Sequence, residues 1–182
     1  MSNTLKPISE PYSPEVAAVL SQYPQIDGYL LSLFRTFANS LRFLEKGVPN
    51  LLDKDSPLAL RVREIVILRV TANNNCEYEW GVHVTVFSKA ADLSKEQITA
   101  TRDTNIDPEL WSSEEANLIQ AIDDLCTIGK VSDETLVQFE ANWTVEQQLE
   151  IMTLCGTYHT VSFVANTARL KNETFGAKFP SV

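Results

Sequence analysis

Between residues 64 and 83 stand four side chains that could do chemistry together: Glu64, Cys76, Glu79 and His83. Cys76, Glu79 and His83 fall at i, i+3 and i+7, which on a helix sets all three along one face. A carboxylate one turn before an imidazole holds the ring in one tautomer and raises its basicity. Glu79 with His83 would then make an oriented general acid or base working near neutral pH. Cys76 follows Asn73, Asn74 and Asn75 at the start of that helix, with Asn74 or Asn75 as the expected cap. A helix N-terminus lowers a thiol's pKa, whereas Glu77 and Glu79 close by raise it. Glu64 has Leu60, Ile67 and Leu68 as helical neighbours, a setting in which a carboxylate is paired, hydrogen-bonded or pushed up in pKa.

Each of these residues has a plainer reading. Glu64 could form a structural ion pair with Arg61 or with another base brought close by folding; Cys76 could be a buried inert thiol, and His83 a satisfied core histidine. Cys126 and Cys155 sit on apolar helical faces and read as core, and His159, beside Tyr158, reads as structural. The run Cys76, Glu79, His83 covers about two turns, roughly 10 Å of rise, which is too long for one ion. No metal and no cofactor are expected. An anionic substrate would want Arg or Lys, and Arg61, Arg63, Arg69 and Lys89 are the nearby bases, with Trp80 as a pocket wall.

These residues need two packed helices to bring them together. From Leu58 to Ala72 there is no Gly and no Pro, and Leu58, Leu60, Val62, Ile65, Val66, Ile67, Leu68 and Val70 point almost all round, the pattern of a buried helix. Ser56 and Pro57 are the expected cap and first turn of that helix. The asparagines interrupt it and a second helix begins at Cys76. Ser13-Pro14-Glu15 opens a short helix ending before Pro24, and Leu30, Leu33, Phe34, Phe37, Leu41 and Leu44 predict one amphipathic helix ending at Gly47 and Pro49. Capping boxes at Ser94/Gln97, Ser112/Glu115 and Thr144/Gln147 predict three more helices, the second ended by Gly129 and the third the longest, Val145 to about Leu170. Ser132 or Asp133 caps a short one around Leu136 to Phe139, and Asp103 to Glu109 is the most loop-like interior stretch. No strand is expected, and the fold class is all-α.

The chain has 182 residues, 44% hydrophobic and 21% charged, the composition of one globular domain with an extended arm over residues 1–12. A net charge of −9 argues against nucleic acid, which demands clustered Lys and Arg. No apolar run approaches the length of a membrane span, and the N-terminus lacks a signal-peptide pattern. Three widely separated cysteines without a CxxC pair argue against a disulfide framework and for a reducing cytoplasm.

The order REIVILRV (63–70), CEYEWGVHV (76–84) and LSKEQI (93–98) resembles the core signature of the carboxymuconolactone decarboxylase and alkylhydroperoxidase D-like superfamily, most closely over about residues 57–100. FRTFANS (34–40), WSSEEANLI (111–119) and TVEQQLEIMTLCGTYHTV (144–161) resemble flanking parts of its longer members. The resemblance implies a helical bundle assembled as a homo-oligomer, a dimer, trimer or hexamer, acting on a small molecule. The peroxidase branch uses a glutamate, a CxxC pair and a histidine, onto which Glu64, Cys76 and His83 fall, but Glu79 stands where the second cysteine should be. A sulfenic acid formed on Cys76 then lacks its resolving thiol, unless folding brings Cys126 or Cys155 near. The decarboxylase branch needs proton transfer next to a carbonyl and no redox thiol. By resemblance, His83, oriented by Glu79 and relayed to Glu64, would serve such a lyase on a small organic acid or lactone. The alternatives are an antioxidant peroxidase working through Cys76 and a non-catalytic oligomeric binding protein.

Overall fold

The structure, a computed structural model, describes residues 4–180; residues 1–3 of the expected arm lie outside it. Among the described residues are nine helices: α1 (Pro14–Leu20), α2 (Ser32–Phe37), α3 (Leu41–Lys46), α4 (Leu60–Asn73), α5 (Glu77–Phe87), α6 (Lys95–Ala100), α7 (Ser113–Ile128), α8 (Asp133–Asn142) and α9 (Val145–Thr167). The only extended pairing described is the isolated bridge between Ile26 and Tyr29, so the fold is all-α.

The packing is organised on α4. Every residue from Glu64 to Thr71 is buried, as a helix apolar on all sides requires. Helices α5, α7 and α9 enclose it. α7 and α9 run in its direction, since Arg61 and Arg69 reach Glu115 and Asp123 of α7. On the α9 side, the Pro57 carbonyl accepts from Gln147 and the Asn74 carbonyl from Asn166. α5 returns antiparallel after a tight reversal at Asn75, whose φ of +48° lies in the left-handed region that asparagine tolerates.

Capping chemistry set most boundaries where the sequence places them. Ser94, Ser112 and Thr144 form complete capping boxes, Ser13 and Ser132 cap α1 and α8, and Gly129 ends α7 with φ +74°. Four expectations change. The single helix over 30–44 is two, α2 and α3, because Ser40 is extended and its hydroxyl accepts the Phe43 N–H as a new cap. α4 starts at Leu60 rather than at Ser56-Pro57, since the Ser56 hydroxyl donates to Glu150 instead. α8 extends over ten residues, beyond 136–139. Finally, neither asparagine caps α5: Cys76 itself occupies the N-cap position.

After α9 the described chain continues in contact with the bundle. Residues 171–179 lie as a strap along the outer face of α5. Glu77 accepts from the Asn172 side chain (2.6 Å) and the Phe179 amide (2.8 Å), and Thr85 donates to the Phe175 carbonyl (3.0 Å). The Gly81 carbonyl accepts from the Ala177 amide at 3.0 Å. A Cβ on Gly81 would stand 2.1 Å from the Ala177 oxygen, so only glycine lets the strap this close. Phe179 packs edge-on against Trp80 and lies under the Arg102 guanidinium.

Candidate functional site

The inner face of α5, opposite the strap, meets α4 and α9. His83 is the point of convergence. Its Nδ1 lies 2.9 Å from Glu64 Oε2 on α4; its Nε2 lies 3.1 Å from the Tyr158 hydroxyl on α9 and 3.5 Å from Glu79 Oε1 one turn back on α5. The Tyr158 ring meets the imidazole edge-on, and Phe87 packs on it at 5.0 Å between centroids. All four polar side chains are buried: Glu64 is 1% exposed, His83 3%, Tyr158 5% and Glu79 6%.

Burial alone would depress the pKa of His83. The Glu64 charge and hydrogen bond, with the Glu79 carboxylate behind them, outweigh it and push the imidazole up to about 10. At neutral pH His83 is therefore an imidazolium: Nδ1–H donates to Glu64, and Nε2–H points into the space between Tyr158 and Glu79. The Tyr158 hydroxyl stays protonated, its pKa raised by burial and by both glutamates. Glu64 Oε1 and Glu79 Oε2 are buried and meet no donor from the described residues. Such orphaned acceptors cost about 1–3 kcal/mol each and are characteristic of places built for something other than stability.

The thiol is placed differently. Cys76 is fully buried at the start of α5. Desolvation raises its pKa to about 11 with help from the Glu79 charge, against a weaker downward pull from the Glu79 amide and the Ser162 hydroxyl; that hydroxyl lies near the sulfur without reaching hydrogen-bond geometry. The helix N-terminus therefore loses to burial. Cys155 is pushed up still further by burial. Half-buried Cys126 has His159 Nε2 at 3.3 Å from its sulfur. All three cysteines are free thiols.

The basic residues separate by the partners they find. Arg61 pairs with Glu115 at 2.6 Å, so the ion pair that competes for Glu64 does not form, and it also donates to the Asp92 carbonyl. Arg69 holds Asp123 through two bonds of 2.7 and 2.6 Å and donates to the carbonyls of Thr101 and Asp103, which uses it as a clamp between α4, α7 and the 101–103 turn. Trp80 donates to Thr101 at 3.0 Å inside the core. Lys89 is exposed. Arg63 differs: it donates to the Asp53 carbonyl at 2.8 Å, leaves Nε buried without a partner, and sits near enough to Tyr158 to pull that phenol's pKa down. Tyr158 was not singled out from sequence. The available signal was its place on the apolar face of α9 with Ile151, Leu154 and Val161, where a hydroxyl needs a partner.

The carboxymuconolactone decarboxylase family matches residues 41–124, which hold Glu64, Cys76, Glu79 and His83. No curated protein matches the sequence. The solved structures include one from Agrobacterium tumefaciens, a protein of unknown function named as a candidate antioxidant defence protein AhpD. It is 21% identical with a TM-score of 0.60, over 65% of this chain and 81% of that one. That likeness is one of fold. The resemblance to the carboxymuconolactone decarboxylase and alkylhydroperoxidase D-like superfamily is borne out by the family match together with the shared all-α fold.

Proposed function

We propose that this protein is an acid/base enzyme of the carboxymuconolactone decarboxylase type, acting on a small organic acid or lactone with His83 as the proton donor. The observation that carries the reading is the imidazolium held at Nδ1 by Glu64, with Nε2–H directed between Tyr158 and Glu79. When a carboxylate leaves as carbon dioxide, the electron pair of the broken C–C bond stays on carbon. His83 Nε2 supplies the proton that carbon needs and becomes neutral, while Glu64 keeps the ring in place. Tyr158, a protonated hydroxyl beside Nε2, positions the donor or hydrogen-bonds an oxyanion next to the reacting carbon. Arg63, with an unpaired buried Nε on the same side, is the group for a substrate carboxylate. Arg61, Arg69 and Trp80 support the site rather than contact substrate in this reading.

No helix among the described residues is long and apolar enough to cross a membrane. We place the protein in the cytoplasm, where its free thiols stay reduced.

The test is turnover of a panel of small carboxylated lactones and 2-oxo acids in deuterated water, followed by NMR. Deuterium should enter the product at the carbon that lost its carboxylate. His83→Gln should abolish this incorporation, and Tyr158→Phe should lower it about 10–100-fold. Full activity of His83→Gln with folded helices would sink the reading.

The competing reading, a peroxidase attacking through Cys76, keeps one observation in its favour: the Glu79 amide and Ser162 hydroxyl both favour the thiolate. A buried thiol with a pKa near 11 stands against it.

A further inference from the structure

A cleft of about 460 Å³ opens between the N-terminal arm, α1, the turn that follows it and Arg35 of α2. That volume suits one small molecule. The backbone fixes its walls. Ile26 and Tyr29 pair through bonds of 3.0 and 2.8 Å across Asp27 and Gly28, whose φ values of +50° and +79° make the tight reversal that an Asp-Gly pair favours. The arm is tied down from the other side: the Ile8 amide donates to the Arg35 carbonyl at 3.2 Å, and the Asn39 side chain to the Lys6 carbonyl at 2.7 Å. Buried Leu20 at the end of α1, with Tyr12, Leu30 and the 41% exposed Tyr29, gives the cleft an apolar lining.

Two opposite charges border this cleft without meeting. Arg35 and Glu10 both line it, and neither forms an ion pair among the described residues, whereas Arg61 and Arg69 are each held by a carboxylate. Arg35 Nη2 donates to the Tyr29 hydroxyl at 3.2 Å and to the Ser32 hydroxyl at 3.1 Å, and the guanidinium lies 5.8 Å from the Tyr29 ring centre. Its Nη1 has no partner among the described residues. Glu173 reaches Arg35 only by way of Tyr29 and Ser32, its oxygens already accepting from those two residues and from Tyr78. The guanidinium is therefore oriented but not neutralised.

We propose that this cleft binds an α-amino acid with an apolar side chain, its carboxylate on Arg35, its ammonium group toward Glu10 and its side chain against Tyr12, Leu20, Tyr29 and Leu30. The charges select this class. A guanidinium with a free Nη1 matches a planar carboxylate, but a simple anion would meet both Glu10 and the field of a chain with net charge −9. A zwitterion carries no net charge and gives each group a partner. The apolar lining selects the side chain, because a charged one would be desolvated there without compensation. None of the residues lining the cleft bonds to Glu64, Glu79, His83 or Tyr158. The proposal therefore stands independently of the reaction assigned above.

The experiment is a titration of the isotope-labelled full chain with L-phenylalanine and with L-leucine, followed by amide NMR shifts, with circular dichroism to verify the folding of each variant. The amides of Gly28, Tyr29, Leu30 and Arg35 should move saturably, with half-saturation below about 10 mM. Phenylpropionate, which lacks the ammonium group, and phenylethylamine, which lacks the carboxylate, should each bind at least about tenfold more weakly than L-phenylalanine. Arg35→Gln should weaken L-phenylalanine by about tenfold or more. Ala17→Trp, which fills the cleft from an exposed position on α1 and leaves the Arg35 contacts in place, should abolish binding. The proposal is overturned if neither amino acid saturates the shifts by about 10 mM, or if the shifts gather around His83 instead. It is equally overturned if either single-charge analogue binds as tightly as L-phenylalanine, or if either folded variant binds like the wild type.

Discussion

His83 holds its proton because two carboxylates surround it, and this sets a pH dependence with a definite sign. Its folded pKa of about 10 lies above the ordinary 6.5. The stability it contributes is therefore complete below about pH 6.5, declines above it, and is lost as the pH rises through about 10. Urea midpoints of the wild type should fall across that window, and His83→Gln should lack that part of the slope. Removing the cation also leaves Glu64 and Glu79 buried together, so His83→Gln should lose about 3–5 kcal/mol at neutral pH. Glu64→Gln/His83→Gln, which removes one of those charges, should recover part of the loss. The thiols provide a second residue-level prediction. At pH 7 a maleimide should label half-buried Cys126 first and leave Cys76 unmodified until the chain is denatured, as mass mapping would show. Dimedone trapping at Cys76 after peroxide, in the folded protein, would revive the peroxidase reading.

α5 is an element held from two sides. Its inner face carries Glu79 and His83, and its outer face is held by the strap 171–179 through Glu77, Gly81 and Thr85. Glu173 fastens the strap further, accepting from Tyr78 at 2.6 Å, Tyr29 at 2.9 Å and the Ser32 amide at 2.9 Å. Gly81→Ala should then displace the strap and cost about 1–3 kcal/mol, with hydrogen exchange accelerating at the Ala177 amide before it does in α4. Unchanged protection there would mean that the strap contributes little to holding α5. The element boundaries were legible wherever a side-chain cap coincided with apolar periodicity, as at Ser112 and Thr144. They were not legible at Ser40, where a cap interrupts an unbroken period, or at Ser56, whose hydroxyl finds Glu150, 94 residues away.

At the scale of the whole molecule, Arg69 and Asp123 tie the central helix to α7 and to the 101–103 turn. Arg69→Ala leaves Asp123 half-unpaired and two carbonyls without a donor, and should cost about 3–5 kcal/mol in chemical denaturation. Arg69→Met should cost less, because it refills the buried volume. If both variants are as stable as wild type, the clamp is not structural and Arg69 returns to the candidates for substrate contact.

The sequence by itself determined the all-α class, the buried character of α4, most helix caps and the shared helix face of Cys76, Glu79 and His83, because periodicity, capping and short spacing are local properties that a helix converts directly into geometry. Only the tertiary structure decided what those residues are to one another. Glu64 chose His83 over Arg61, Tyr158 came in from a helix 75 residues away, and the thiol was buried deeply enough for desolvation to override its helix terminus. Leu149, Met152 and Phe163, apolar positions of the longest helix, face outward. Period shows that a face is apolar; what lies against that face depends on which helices the fold packs around it.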